Sequence, residues 1–225
     1  FNVYVNFPIR SFWGWDCLQN RCIKLPRGPT PDFPNAPINQ NLTSLNVCHL
    51  TCGPTIGNVW PLPRSIAGIS QRTTSRIDPY ALNIKTNNFQ EYPANEYWNV
   101  AMNRFNEMQM SKLPQGVWGL KINNFLTINV TVASDIMRHD LNTNEDYTLG
   151  LTPLPDSNEI IALIAAQNFY GARNALETLS QLMVYDDFNN AFVILDSIAM
   201  TDSPTFRHRG ISLDTSRNFY PVEDI

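Results

Sequence analysis

HRGISLDTSRNFYPVEDI, residues 208–225, is the stretch that decides the fold. Ile211 and Leu213 suit a short buried strand, and the polar residues from Asp214 onward close it. Pro221, followed by two acidic residues, is typical of the first turn of a helix. A strand and a helix start at the end of a 225-residue sequence have no later strand of that sequence to pair with. The sequence therefore predicts a strand whose sheet is completed by another chain.

Residues 59–200, upstream of this stretch, show a mixed pattern of helices and strands. A helix is predicted over Tyr92–Met110, where apolar residues recur at three- and four-residue steps, and Pro114 ends it. A second helix is predicted over Gly171–Met183. Strands are predicted over Leu120–Asn123, Phe125–Val132, Tyr147–Leu151, Ile160–Ala165 and Phe192–Leu195. These elements predict an α+β domain in which an antiparallel sheet has both helices on one face.

Residues 1–58 form a predicted extension with little periodic pattern. Closely spaced prolines between Pro26 and Pro37 prevent a regular helix there. Trp13 and Trp15 alternate around a glycine as in a strand. Their rings could stack on sugars, but packing against the neighbouring domain is the interpretation we favour, because Trp is so often largely buried.

The four cysteines all lie in this extension and could form either a zinc site or two disulfides. Their spacing, C-x4-C followed later by C-x3-C, is compatible with metal binding. An even count in a proline-rich segment without a helical half-site favours disulfides instead. Three connectivities are open to four cysteines. We favour the nested pairs Cys17–Cys52 and Cys22–Cys48, because they would hold two strands side by side.

The composition describes a globular chain of one or two domains. Hydrophobic residues make up 43% and charged residues 16%, which is enough apolar content for a core. The net charge of −4 gives no reason to expect binding to nucleic acid or to an anionic membrane. No apolar run approaches the ~20 residues of a membrane span. Phe1 is not an initiator methionine, so we expect the chain to begin after a removed signal, anchor or propeptide.

Two sequons support a secretory location, whether secreted, lysosomal or at the cell surface. Asn41-Leu42-Thr43 lies in the extension, and Asn129-Val130-Thr131 lies in a predicted strand. Alternation along that strand places Asn129 and Thr131 on one outward face. We therefore expect Asn41 and Asn129 to be glycosylation sites, with a glycan on Asn129 accessible to solvent.

Three stretches together resemble glycoside hydrolase family 20, the β-N-acetylhexosaminidases. The tail HRGISLDTSRNFYPVEDI is similar to that family's first barrel strand. WPLP at residues 60–63 and YGARNALETLSQL at residues 170–182 resemble the opening and the long helix of its non-catalytic domain. The extension resembles one found in arthropod members. The resemblance implies that residues 201–225 begin a catalytic TIM barrel, a (β/α)8 fold whose site lies at the C-terminal ends of the strands.

That geometry assigns different roles to the two arginines of the tail. Arg209 precedes the strand and is expected at the bottom or edge of the barrel, where it would serve stability. Arg217 follows the strand, and the resemblance implies that it holds hydroxyl groups of the terminal sugar, a task suited to a guanidinium with several fixed donors. The competing interpretation of Arg217 is an ion pair with Asp214 or with a later helix.

The catalytic Asp-Glu pair of the family does not occur in these 225 residues. Glu145-Asp146 and Glu223-Asp224 have the reverse order. The first pair lies in a polar run that predicts a turn, and the second suits a helix N-terminus, where the helix dipole favours acids. No catalytic residue is therefore expected in this chain.

The resemblance implies an exo-β-N-acetylhexosaminidase acting by substrate-assisted retaining hydrolysis, with no cofactor and no metal. It would remove terminal N-acetylglucosamine, and N-acetylgalactosamine as a further substrate, from chitooligosaccharides or N-glycans. The expected partners are the carbohydrate substrate and a second chain, produced by proteolytic nicking, that carries the rest of the barrel; the assembled enzyme is expected to be a homodimer. The alternative is a catalytically inactive relative that binds glycans or acts in cell-surface interaction.

Overall fold

The computed structural model describes residues 12–39, 41–53, 56, 59–67, 73–115, 124–217 and 219–222. The predicted strand over Leu120–Asn123 and the acids Glu223 and Asp224 lie outside these residues. Among the described residues, no helix is both long enough and apolar enough to span a membrane.

The extension forms a hairpin joined to a short helix. Strands β1 (Trp13–Leu18) and β2 (Arg21–Pro26) pair antiparallel, and helix α1 covers Leu45–Thr51. Ser44 caps α1, because its hydroxyl accepts a hydrogen bond from the Val47 amide at 3.2 Å. The helix was missed from the sequence, since it begins only after the proline-rich run has ended.

Two nested disulfides link the hairpin to this helix. Cys17 bonds Cys52 with an S–S distance of 2.07 Å, and Cys22 bonds Cys48 at 2.08 Å. Cys17 and Cys22 are cross-strand partners in the hairpin, whereas Cys48 lies on α1 and Cys52 is the C-cap residue one turn later. The bridges therefore hold a hairpin to a helix and not, as expected, two strands side by side. All four sulfurs are oxidised in pairs, so none is a free thiolate for zinc.

The extension also shares the main core. Val47 and Leu50 of α1 are buried in the same apolar cluster as the central strands, and α1 lies against β9 (Met183–Asp186) and β10 (Ala191–Leu195). The bridges therefore supplement a core contact. Disulfides stabilise a fold mainly by restricting the conformations of the unfolded chain.

The central sheet has six strands in the order β3-β11-β7-β8-β6-β5. Their bounds are Ser65–Ala67 for β3, Leu82–Thr86 for β5, Phe125–Val132 for β6, Tyr147–Pro153 for β7, Glu159–Ala166 for β8 and Ile198–Asp202 for β11. A second sheet has the order β4-β10-β9, with β4 at Thr74–Arg76.

The central sheet is mixed, and the prediction of an antiparallel sheet was wrong in this respect. β6 runs parallel to both β5 and β8, while the other pairs are antiparallel. Helix α2 (Ala94–Ser111) connects β5 to β6, and a helical crossover of this kind joins parallel strands. β5 is short and half-buried, and it was therefore not predicted from the sequence.

The two predicted helices are confirmed with shifted boundaries. Helix α3 covers Phe169–Gln181, begins at an Asn168 cap and lies on β6, β7 and β8. Helix α2 packs beside α3. Tyr97, expected in the apolar stripe of α2, is instead 54% exposed, while Trp98 is buried.

The end of the domain differs from the prediction. Phe192–Leu195 lies within β10 but is not the final strand, because β11 follows it and inserts between β3 and β7. Beyond β11 the predicted strand around Ile211 and Leu213 is not formed, and Ile211 is 98% exposed. A strand requires a neighbour for its backbone hydrogen bonds, and no described strand pairs with this segment.

Candidate functional site

The two tail arginines lie in different surroundings. Arg217 is 87% exposed, and its Nε lies 3.2 Å from Asp214 Oδ2. Asp214 also accepts hydrogen bonds from the hydroxyl and the amide of Ser216, which together with Arg217 hold the pKa of this carboxyl below its ordinary value. The pair with Asp214 is the competing interpretation that the sequence left open for Arg217. An exposed ion pair of this kind contributes little to stability.

Arg209, in contrast, is anchored to a buried carboxylate. Its Nη2 lies 2.6 Å from Glu145 Oε1 and 2.7 Å from Glu145 Oε2, and its Nη1 donates to the Phe206 carbonyl at 2.6 Å. Glu145 is only 8% exposed. It also accepts a hydrogen bond from Asn174 Nδ2 at 3.1 Å, and His139 Nε2 lies 3.5 Å away. The tail is therefore fastened to the domain through Arg209 and Glu145.

These contacts decide the charge of Glu145. Burial alone would raise its pKa, but the hydrogen bonds from Arg209, Asn174 and His139 and the positive charge of Arg209 outweigh burial, so its pKa lies below the ordinary value of 4.5. A carboxylate that is ionised and has its oxygens occupied is poorly suited to donate a proton. Glu145 acts here as an anchor.

The close approach of α3 places Asn174 beside this carboxylate. A Cβ added at Gly171 would lie 2.7 Å from the Asp146 carbonyl oxygen and 3.2 Å from that of Glu145. Only a residue without a side chain leaves room for the helix at this distance. The segment before β7 was predicted as a polar turn, and burial of Glu145 was missed. No pattern in the sequence connects it with a residue in the tail.

The Glu145 anchor lies in a cleft of about 800 Å³ between α3 and the start of the tail. Trp60 is largely exposed at this cleft, and its backbone exchanges two hydrogen bonds with the Gln181 side chain. On the floor, Tyr147 contacts the Thr178 hydroxyl at 2.6 Å and donates to Asp202 at 3.2 Å. Burial is the main reason why the pKa of Tyr147 is raised.

A second groove of about 860 Å³ runs between α2 and α3. Its rim carries exposed apolar side chains, namely Tyr92, Tyr97 and Val100. Tyr170, Arg173 and Glu177 line this groove and also the tail cleft, so the two are continuous. We call this surface the α2–α3 face.

The two tryptophans of the extension are engaged in packing. Trp13 makes an edge-to-face contact with Phe33, with ring centroids 5.9 Å apart, and the Lys24 ammonium lies over its ring at 4.8 Å. Trp15 exchanges two backbone hydrogen bonds with Thr43, each 2.9 Å long. Both tryptophans are half-buried, and these partners all belong to the extension itself, whereas packing against the neighbouring domain was expected.

The two sequons lie at different kinds of surface. Asn41 is exposed in a loop before α1, and Asn129 is half-buried on β6, facing away from the core, while its neighbours Ile128 and Val130 point inward.

No protein-family model matches the chain, but individual proteins match nearly all of it. A chitooligosaccharidolytic β-N-acetylglucosaminidase from Bombyx mori is 31% identical over 96% of this chain and 34% of that protein. An enzyme of the same name from Ostrinia furnacalis is 29% identical over 95% of this chain and 34% of that protein. The solved chitobiase of Flavobacterium johnsoniae, a family 20 protein, is 26% identical with a TM-score of 0.50, covering 74% of this chain and 24% of that one.

The chain is therefore similar to proteins of glycoside hydrolase family 20.

The resemblance to family 20 that was predicted from the sequence is thereby confirmed. The chain spans about a third of the length of the curated relatives it matches. Their names state that these relatives are glycosidases. The part of the fold shared with the solved chitobiase supports an α+β domain of the family 20 type.

Proposed function

We propose that this chain is the N-terminal portion of an exo-β-N-acetylhexosaminidase that removes terminal N-acetylglucosamine, and also N-acetylgalactosamine, from chitooligosaccharides or N-glycans. The observation that carries the proposal is the tail itself. Its family 20 sequence follows directly after the anchor between Arg209 and Glu145, so the domain holds the start of the barrel sequence at a fixed place. The chitooligosaccharidolytic relatives support the first of the two substrate classes.

Arg217 is the residue proposed to bind substrate. It is highly exposed, and its pair with Asp214 is exposed too, so little free energy is needed to redirect the guanidinium toward a sugar. Ser216 holds Asp214 through two hydrogen bonds, and Asp214 can therefore orient the arginine when a ligand arrives. The planar fork of donors suits neighbouring hydroxyl groups.

The chemistry itself is proposed to come from the larger part of the enzyme, which carries the Asp-Glu pair absent from these residues. In this scheme the acid protonates the leaving oxygen, and the acetamido group of the substrate acts as the nucleophile. We propose that this pair lies in the remainder of the enzyme, and that the assembled enzyme forms a homodimer in the secretory pathway. The two disulfides support an oxidising compartment.

The α2–α3 face is the proposed docking surface for that catalytic part. Exposed aromatic and aliphatic groups on the outer side of a helix pair are typical of a covered interface. The face is continuous with the tail cleft, where the sequence of the barrel begins. About two thirds of the length of the matched relatives lies outside this chain and provides an occupant of suitable size.

An activity assay on the purified assembled protein tests the proposal. We expect it to hydrolyse a chromogenic β-N-acetylglucosaminide, and we expect this chain expressed alone to be inactive. An assembled protein that folds, contains the second part and hydrolyses neither this substrate nor the N-acetylgalactosaminide would overturn the proposed activity.

A further inference from the structure

The central sheet has one open face. Side chains on alternate positions of β6, β7, β8 and β11 point away from α2 and α3 and are mostly exposed, while the other positions are buried. The strand register arranges these outward residues in rows across the sheet. One row consists of Ala67, Ala199, Gly150, Leu163, Asn129 and Lys85.

Apolar side chains on this open face are exposed to solvent. Leu163 is 53% exposed on β8, directly beside Asn129, and Phe125 is similarly exposed on β6. Beyond Leu163 the row contains only small residues, and they form the floor of a trough of about 370 Å³. Thr148 and Thr201 of the adjacent row line its side.

Asn129 lies next to this trough, and a group attached to its side chain could cover it. It belongs to the sequon Asn129-Val130-Thr131, and the exposed Thr131 lies on the same face because strand residues alternate. No hydrogen bond within the described part of the chain involves the Asn129 side chain. Asn87 and Asn88, which lie after β5, both use their side chains to bond the end of β6. An asparagine on a sheet face without such a bond has its amide nitrogen available.

The spacing of the strands determines how far a modification of Asn129 must extend to cover the trough. Neighbouring strands lie about 4.8 Å apart, so the distance from Asn129 across Leu163 to Gly150 is roughly 10 Å. The first sugars of an N-linked glycan extend over such a distance. Their apolar ring faces would contact Leu163, and their hydroxyl groups would meet the threonines and solvent. The paired cysteines indicate the compartment in which the modification is made.

We propose that Asn129 carries an N-glycan whose first sugars lie across Leu163 and along the trough, so that the open face of the sheet is covered by the protein's own carbohydrate and is not a subunit interface. This proposal requires passage through the secretory pathway but not glycosidase activity.

Peptide mapping of the full-length protein secreted from insect cells tests the modification. Enzymatic release of N-glycans in heavy-oxygen water should convert Asn129 to a labelled aspartate. Asn129→Gln and Thr131→Ala should each abolish this label, and Thr131→Ser is the matched control that keeps the sequon. An unmodified Asn129 in the wild-type protein would overturn the proposal.

Thiol labelling tests whether the glycan covers the face. Leu163→Cys should react with a maleimide severalfold more slowly in the glycosylated protein than in the same protein with Asn129→Gln. Arg138→Cys, at an exposed loop position, should react equally in both backgrounds. Equal reaction of Leu163→Cys with and without the glycan would contradict coverage, whatever the activity of the enzyme.

Discussion

Arg209 and Glu145, which are far apart in the sequence, form a two-oxygen contact with distances of 2.6 and 2.7 Å, and the carboxylate is buried. The contact joins the segment before β7 to the tail that follows β11. Arg217, in the same tail, pairs only with the exposed Asp214 among the described residues. The two arginines thus differ in their surroundings, since one anchors the tail and the other forms an ion pair at the exposed surface.

Arg209→Gln is expected to destabilise the protein because it leaves the buried Glu145 without its main partner. Removing one member of a buried pair costs about 3–5 kcal/mol, and the half-exposed arginine places the expected loss near the lower end, about 3 kcal/mol. Urea unfolding measures the change. Arg217→Gln is the control, and its effect should stay below about 1 kcal/mol. Equal losses for the two variants would contradict the division of roles.

The same anchor predicts a pH dependence. Because the folded-state pKa of Glu145 is lowered, its contribution to stability is fully present above its ordinary pKa of 4.5 and is lost as the pH falls through the folded-state value. The free energy of unfolding of Glu145→Gln should therefore fall less between pH 6 and pH 3 than that of the wild type. Parallel pH profiles for wild type and variant would show that the carboxylate is not held as described.

Gly171→Ala is expected to be destabilising, although alanine normally favours a helix over glycine by about 1 kcal/mol. The added methyl group would lie 2.7 Å from the backbone oxygen of Asp146, and a backbone atom cannot move aside as a flexible side chain can. The shift of α3 should also weaken the Asn174 contact with Glu145. Thermal unfolding checks the sign, with Asn106→Ala on the exposed side of α2 as the control. An increase in Tm for Gly171→Ala would contradict the close approach of α3 to the Asp146 carbonyl oxygen.

The α2–α3 face gives a prediction about assembly. Val100→Asp should weaken docking of the catalytic part while leaving this domain folded, because Val100 is exposed on α2 and makes no core contact that a carboxylate would disrupt. Gel filtration and circular dichroism of the two parts together measure both properties. Asn103→Asp introduces the same charge on a different exposed position of α2. Unchanged assembly for Val100→Asp would exclude this face as the docking surface.

Much of the central layer could be predicted from the sequence, and the reasons are local. β6 alternates between apolar and polar residues, β8 is a nearly continuous apolar run, and α3 has an apolar stripe along one side. The short strands β3 and β5 could not be predicted, because their side chains are half-exposed and their pairing comes from distant segments. β11 was missed because only Ile198 and Met200 mark its buried side.

The candidate site shows the same limit. The tail motif singled out Arg209 and Arg217 and predicted different roles for them, and the structure places them in different surroundings. Burial of Glu145 could not be foreseen, because it depends on the close approach of α3 at Gly171 and on the return of the tail after β11. Such a contact between distant segments has no periodic signature in the sequence.

The most direct test of the proposed function is the steady-state kinetics of Arg217→Lys in the assembled enzyme with a chromogenic β-N-acetylglucosaminide. Lysine keeps the charge but loses the fork of donors. Loss of a hydrogen bond to a charged group costs about 1.5–3 kcal/mol, so kcat/KM should fall roughly 10- to 100-fold, with a higher KM and a lower kcat. Stability should not change, since the side chain is exposed. An unchanged kcat/KM in an active enzyme would contradict the assignment of Arg217 to the sugar.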